Sequence, residues 1–154
     1  MVGKTLSQVR VDDMRPEDVT EVLSIEQISF TTPWSETLFM NEIFKPGSTP
    51  KVARLYDRVI GYICVNRVLD EGHILNVTVH PDYRRQGIAS LLICFVIRYL
   101  SDHRCNAIYL EVRASNEAAR TMYERSGFTV TGVRKNYYTS PAEDGVVMVL
   151  RMKD

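Results

Sequence analysis

A turn between a strand and a helix carries the most specific chemical signal in the chain. The spacing Arg84-x-x-Gly87-x-Ala89 follows the strand-like residues 77–79 and opens a helical pattern. The first backbone N–H groups of a helix have no partner within it, and the helix dipole adds positive charge there. Small residues let a phosphate approach that backbone, and arginine adds charge at the rim. The spacing indicates an anion site, although a basic, solvated turn before a core helix accounts for it equally well.

A second block of residues could perform acid–base chemistry. Glu111 lies in the strand pattern Ala107–Arg113, and Asn116 and Tyr123 follow on a predicted helix. Asn116 and Tyr123 are two helical turns apart, about 10 Å along the axis, so they share one side of that helix. Considered without the preceding turn, this block is better explained by a helix-capping asparagine and a packed core tyrosine.

Together the two blocks resemble the GNAT superfamily of N-acetyltransferases. Residues 84–89 match the R/Q-x-x-G-x-G/A signature with which these enzymes hold the pyrophosphate of coenzyme A. Residues 110–128 are similar to the L-E-V-R-x-S-N-x-x-A-x-x-x-Y-x-x-x-G-F stretch of protein N-terminal acetyltransferases, most closely the RimI-type, which acetylate ribosomal-protein alanine in bacteria. The likeness extends from Val11 to Met152. His80 departs from it, since aspartate is frequent there.

The resemblance implies roles for individual residues. Glu111 corresponds to the glutamate that deprotonates the incoming amine, and Tyr123 to the tyrosine that protonates the leaving thiolate. Contacts with acetyl-coenzyme A are implied for Val77, Thr78, Val79, Arg84, Arg85, Gln86, Gly87, Ile88, Ala89, Ser90 and Asn116. Among these, the backbone N–H groups of residues 77–79 would stabilise a developing oxyanion if the strand bulges there. The resemblance also implies that the slot for the substrate is lined by Phe30, Pro33, Trp34, Tyr137 and Tyr138.

The acceptor amine is expected to be the α-amine at the start of a protein, by resemblance the N-terminal alanine of a ribosomal protein. An α-amine has a pKa near 7.7–8.0 against about 10.4 for lysine, so neutral lysine costs roughly 3–4 kcal/mol more near pH 7. A carboxylate such as Glu111 suffices for the α-amine. Acetylation of a lysine side chain or a small amine is the alternative. A regulatory module that binds acetyl-coenzyme A without turnover is disfavoured by the presence of both Glu111 and Tyr123.

Composition excludes several other classes of function. The 154 residues include 19 basic and 19 acidic side chains, so no global field favours nucleic acid or membrane. No apolar run reaches the roughly 20 residues that span a bilayer, and the first ten lack a signal peptide's apolar core. The three cysteines lack C-x-x-C spacing and the three histidines lack metal-ligand spacing, so reduced thiols and no metal are expected. These features predict a cytoplasmic protein; the oligomeric state is left open.

The pattern of apolar residues predicts the elements that position these groups. Strands are expected at 9–14, 51–56, 59–68, 73–80, 107–113, 129–133 and 146–152, and helices at 16–29, from Ser35 to about 43, 87–101 and 116–126. The third helix is expected to bury Ile88, Leu91, Leu92, Phe95, Val96 and Tyr99, and Tyr137 and Tyr138 are expected in a loop.

These elements predict an α/β (α+β) protein with the GNAT fold. Its single mixed, mostly antiparallel sheet splays at the middle strands and carries helices on both faces. Residues 1–154 are expected to form one domain in which 1–8 are a tail.

Overall fold

Strands and helices alternate along the chain in the order that the sequence predicts. The structure, a computed structural model, describes residues 6–152. The strands are β1 (Val9–Asp13), β2 (Lys51–Leu55), β3 (Arg58–Val68), β4 (Glu71–Val79), β5 (Ala107–Arg113), β6 (Thr129–Thr139) and β7 (Ala142–Arg151). The helices are α1 (Val19–Ser29), α2 (Glu36–Phe44), α3 (Ile88–Asp102) and α4 (Glu117–Arg125), with short 3-10 turns at Pro16–Asp18 and Pro81–Tyr83.

The seven strands form one sheet in the order β1-β2-β3-β4-β5-β7-β6. Its pairs are antiparallel except β4 with β5, which run parallel. That parallel pairing covers only Glu71–Ile74 against residues 107–110, and beyond it the two strands separate. The predicted mixed, mostly antiparallel sheet with a splay at its middle strands is therefore confirmed.

Helices cover both faces of the sheet, because side chains of successive strand residues point to opposite faces. On one face α3 and α4 pack against residues such as Ile63, Leu110 and Val112, which we call the α3-side core. On the other face α1 and α2 pack against a smaller set that includes Tyr62 and Cys64, the α1-side core.

Local signals at the helix ends behave as predicted. The Ser35 hydroxyl caps α2 by accepting a hydrogen bond from the Leu38 N–H at 3.2 Å. Gly127 ends α4 with φ +103°, a conformation that glycine adopts without strain. The reversal lets the Phe128 N–H donate to the Tyr123 carbonyl at 3.0 Å and buries the Phe128 ring.

Two predictions about the elements are wrong. Tyr137 and Tyr138 lie within β6 and not in a loop, because this strand pairs with β7 as far as Thr139 across two register irregularities. Phe95 is 39% exposed and outside the core, since it lies with Tyr99 beside the Lys51 ammonium, whose nitrogen is 5.7 Å from the centre of the Phe95 ring.

The start of the chain is only partly described. Residues 1–5 of the predicted tail lie outside the described residues, while Leu6 packs against the α3-side core. In the part that the structure does describe, no helix has both the length and the apolar character needed to cross a membrane.

Candidate active site

A cleft of about 430 Å³ lies where β4 and β5 separate. Both strands contribute to it, and so do α1 and α4, the segment after α1, and the hairpin of β6 and β7. Its lining includes eleven of the residues predicted to form the site: Phe30, Trp34, Val77, Thr78, Val79, Arg84, Ala89, Glu111, Asn116, Tyr123 and Tyr138. The splay thus brings the two sequence blocks together.

The β4 edge of the cleft presents backbone N–H groups. The His80 N–H donates to the Ile60 carbonyl at 2.8 Å, so in the alternating antiparallel ladder Thr78 also bonds to β3. The N–H groups of Val77 and Val79 consequently point away from β3, towards the cleft. A bulge is present in β4, but its extra residue is Leu75, two positions before the predicted segment.

The turn before α3 exposes the start of that helix. Gly87 adopts φ +83° as the N-cap residue, and the first intrahelical bond runs from the Leu91 N–H to the Gly87 carbonyl at 3.0 Å. The N–H groups of Ile88, Ala89 and Ser90 therefore precede the intrahelical ladder and are available to an anion. The Ile88 side chain itself is buried in the core.

The side chains around this turn differ in their roles. Arg84 fixes the turn to the ends of β4 and α1, since its Nε donates to the Val79 carbonyl at 2.9 Å and its Nη2 to the Ser29 hydroxyl at 3.1 Å. Arg85 is exposed, with φ 63°, and Gln86 is partly buried. Ser90 borders a separate hollow of about 460 Å³ between α3 and α4.

Glu111 lies at the base of the cleft on the α1 side of the sheet. Its neighbours Leu110 and Val112 belong to the α3-side core, so the alternation of the strand directs Glu111 to the opposite face. Its side chain is only 10% exposed, and its Oε1 lies 2.7 Å from His73 Nε2. The Tyr137 hydroxyl donates to the same oxygen at 3.4 Å.

Tyr123 approaches the cleft from the other face. It is buried in the α3-side core, where its ring lies 5.8 Å from that of Phe128. Burial raises the pKa of its hydroxyl, so this group remains protonated at neutral pH and can act as a proton donor. Asn116 caps α4 by accepting from the Ala119 N–H at 3.2 Å while it lines the cleft, so its capping role is compatible with a ligand contact.

Two segments face each other across the open end of the cleft. Phe30 and Trp34 line one side and Tyr138 lines the other, and the Thr31 hydroxyl bridges them by donating to the Ser140 carbonyl at 3.3 Å. Burial raises the pKa of Tyr138 to about 12, so its hydroxyl is also a donor. Pro33 is exposed and does not line the cleft.

Comparison with known proteins identifies this arrangement. The family model described as acetyltransferase (GNAT) family matches residues 19–128. The chain belongs to the GNAT family. Its acyl donor is therefore acetyl-coenzyme A and its reaction is N-acetylation, as the sequence predicts.

Relatives of this GNAT enzyme align over nearly its whole length. The [ribosomal protein bS18]-alanine N-acetyltransferase of Escherichia coli K12 is 32% identical over 142 residues, 91% of this chain and 95% of the relative. The enzyme of the same name from Salmonella typhimurium is 34% identical over 135 residues, 86% of this chain and 90% of the relative. The crystal structure of the Escherichia coli ribosomal-protein-S18-alanine N-acetyltransferase superimposes with a TM-score of 0.88 at 31% identity, covering 95% of each chain.

A buried carboxylate that the sequence analysis did not single out positions one wall of the GNAT cleft. Glu26 is 2% exposed and accepts hydrogen bonds from the Tyr62 hydroxyl, from Asn76 Nδ2 at 3.0 Å and from the Trp34 N–H at 2.9 Å. These donors compensate the buried charge and hold the start of the Trp34 segment against β4. One signal for this residue was present in the sequence: Glu26 follows Val22 by four residues, which places it on the apolar face of the predicted first helix.

A second cleft, of about 570 Å³, opens beside the first on the α1 side of the sheet. Glu111 lines both clefts. The other residues of the second cleft are Asn66, Val68, Glu71, Gly72, His73, Tyr109, Thr131, Gly132, Val133, Arg134 and Val147. The Glu111 carboxylate therefore borders two openings: the first cleft, and this second one on the face formed by β5, β6 and β7.

Replacing Gly87 with valine is expected to weaken acetyl-coenzyme A binding about tenfold or more, because a β-branched residue at positive φ costs about 1–3 kcal/mol and displaces the turn. Arg85→Ala is expected to change the Kd less than about threefold, since an exposed charge contributes little. Calorimetry measures both values. Gly132→Val is the matched control, because a Cβ at Gly132 meets no atom within 4 Å. A larger loss with Arg85→Ala would refute binding by the backbone.

Proposed function

We propose that this GNAT enzyme acetylates the N-terminal α-amine of a protein, specifically a ribosomal protein that begins with alanine. The observation that carries the proposal is the bridged open end of the cleft. The Thr31–Ser140 hydrogen bond links the two segments across this opening, and the Glu111 side chain, 10% exposed, lies at the base of the same cleft. Relatives named for bS18-alanine N-acetylation support the choice of substrate. Such a substrate places the reaction in the cytoplasm.

The proposed roles of the chain's residues follow from the two faces of the sheet. The N–H groups of residues 88–90 hold the pyrophosphate, and those of Val77 and Val79 polarise the carbonyl that acetyl-coenzyme A supplies. Glu111 removes the proton of the amine on the α1 side. Tyr123 protonates the departing sulfur on the α3 side, where burial keeps its hydroxyl intact.

The geometry favours a chain end over a lysine in mid-chain. A lysine in mid-chain must bring flanking backbone into the cleft on both sides, whereas a chain end brings it on one side only. The lysine ammonium is also the weaker acid by about 2.5 pKa units, a further cost of about 3–4 kcal/mol near pH 7. Phe30 and Trp34 line the cleft, and we expect these large rings to favour a small first side chain.

A peptide panel tests this specificity. Peptides that differ only in their first residue are incubated with acetyl-coenzyme A, and the released thiol is measured. We expect the highest kcat/KM for alanine, a modest decrease for serine and glycine, and at least about a tenfold decrease for leucine or lysine. Equal kcat/KM values across the panel would show that the entrance does not select the first residue.

Tyr137 or Tyr138 is proposed to donate its hydroxyl to the peptide's first carbonyl and so keep the amine beside Glu111. Replacing both tyrosines with phenylalanine is expected to raise the KM for peptide about tenfold, since each removes about 0.5–1.5 kcal/mol of hydrogen bonding. The KM for acetyl-coenzyme A should remain unchanged. The rings that stack on Arg134 and Arg113 are retained, so folding is preserved. Steady-state kinetics with each substrate varied in turn distinguish the two effects. An unchanged KM for peptide would show that these tyrosine hydroxyls do not bind the peptide's first carbonyl.

A further inference from the structure

A leucine near the start of the chain lies against the turn that precedes α3. Residues 6–8 are helical and lead into β1. A methyl group placed on Gly87 would lie 3.5 Å from Leu6 Cδ2 and 3.9 Å from Leu6 Cδ1. Apart from the chain neighbours of Gly87, no other described residue has an atom within 4 Å of that position. The Leu6 side chain therefore covers the space that glycine leaves empty in this turn.

The register of the sheet brings residues 6–8 to this place. β1 begins at Val9, which pairs with Leu55 at the end of β2. On the next strand, Gly61 near the start of β3 pairs with Val79, the last residue of β4. The start of β1, the end of β4 and the start of α3 consequently lie at the same end of the sheet. Backbone pairing thus holds the N-terminal segment beside the turn.

The turn of residues 84–87, which we call the Gly87 turn, has a backbone that needs support. Arg85 adopts φ 63°, which a residue with a side chain adopts at a cost, and Gly87 adopts φ +83°. Arg84 fixes the start of the turn through two hydrogen bonds, but Gly87 has no side chain of its own to pack. Leu6 is partly buried and packs against the α3-side core, so it joins the end of the turn to that core.

We propose that Leu6 is a positioning residue for acetyl-coenzyme A, which keeps the Gly87 turn in the conformation that presents the N–H groups of residues 88–90 to the pyrophosphate. The inference rests on the binding role proposed above for these groups, and it does not depend on which amine is acetylated. A site that is competent for only part of the time binds more weakly by the inverse of that fraction. The leucine therefore increases affinity without touching the ligand and takes no part in acyl transfer.

The first test is the Kd of Leu6→Ala for acetyl-coenzyme A, measured by calorimetry without an acceptor. We expect an increase of about fivefold, which corresponds to a turn that is competent for about a fifth of the time. The KM for acetyl-coenzyme A should rise in parallel, while kcat and the KM for peptide stay unchanged. Leu6→Met keeps the apolar volume and should restore the wild-type Kd.

Leu150→Ala is the matched control for a general loss of packing. Leu150 also packs against the α3-side core beside a glycine, since its Cδ1 lies 3.1 Å from a methyl group placed on Gly127. It lies on β7, away from the Gly87 turn, so we expect a wild-type Kd. A wild-type Kd for Leu6→Ala, or an equal increase for Leu150→Ala, would overturn the proposal.

The second test follows the turn itself in the absence of ligand. The Leu91 N–H donates to the Gly87 carbonyl at 3.0 Å, so its hydrogen exchange, measured by NMR, reports opening of the turn. We expect this amide to exchange at least about fivefold faster in Leu6→Ala and at the wild-type rate in Leu150→Ala. An unchanged rate in Leu6→Ala would overturn the positioning role.

Failure of this inference is distinguishable from failure of the proposals on which it rests. If Gly87→Val weakens binding and Leu6→Ala does not, only the role of Leu6 is refuted. If neither variant changes the Kd, the turn does not bind the pyrophosphate. Failure of the wild-type enzyme to acetylate an alanyl peptide would refute the proposed function and leave these binding results in place.

Discussion

Replacing Glu111 with glutamine is expected to lower kcat for an alanyl peptide about 10²–10³-fold at pH 7, because the general base is removed from the acyl-transfer step. Glutamine has the same shape and can still meet His73 and Tyr137, which contact the Oε1 position. The Kd for acetyl-coenzyme A should therefore stay within about twofold, since Glu111 makes no part of the pyrophosphate turn.

The pH dependence sharpens this prediction. Without the carboxylate, activity depends on the fraction of amine that is already neutral, which rises about tenfold per pH unit up to a pKa near 7.7–8.0. The defect of Glu111→Gln should hence be largest at low pH and shrink as pH rises. Glu124→Gln, at an exposed glutamate on α4, is the control. Normal turnover of Glu111→Gln at neutral pH would show that Glu111 is not the general base.

Replacing Tyr123 with phenylalanine is expected to lower kcat about a hundredfold through loss of the proton donor to the leaving sulfur. Burial raises the pKa of this hydroxyl, so it is protonated throughout the neutral range. Because the ring and its contact with Phe128 are kept, the variant should fold and bind acetyl-coenzyme A normally.

The Tyr123→Phe variant should keep the wild-type acidic limb, since that limb belongs to the base and not to the acid. Stopped-flow measurement of thiol release over the pH range gives both the rate and the limb. Tyr56→Phe removes an exposed hydroxyl far from the cleft and serves as control. A wild-type kcat for Tyr123→Phe would show that the leaving sulfur does not need a proton from Tyr123.

The sequence predicted the elements whose signals are local. Apolar periodicity located the four helices and the central strands, and capping residues such as Ser35 and Gly127 fixed helix ends. The turn at Gly87 was identifiable because its chemistry is backbone chemistry at a helix start. The splay of β4 and β5 followed from the resemblance, since no local pattern specifies where two strands part.

What the sequence did not predict depends on residues that are distant along the chain. Glu26 meets Tyr62 and Asn76 across 36 and 50 positions, and His73 meets Glu111 across 38. A carboxylate or a histidine considered alone resembles a solvated side chain, so these contacts emerge only with the fold.

The remaining errors concern exposed segments. β6 consists almost entirely of exposed and partly exposed residues, so its length comes from backbone pairing with β7 and leaves no alternating apolar pattern. Phe95 follows the helical spacing of the core, yet it is 39% exposed and its ring lies beside the ammonium of the buried Lys51.

The most direct test of the central claim is to locate the acetyl group. A peptide with a free N-terminal alanine and an internal lysine is incubated with the enzyme and acetyl-coenzyme A, and tandem mass spectrometry assigns the modified nitrogen. The account predicts acetate on the alanine α-amine, with the lysine unmodified. A second peptide, blocked at its N-terminus, should remain unmodified. Acetate found chiefly on the lysine of either peptide would contradict N-terminal acetylation and identify this GNAT enzyme as a side-chain acetyltransferase.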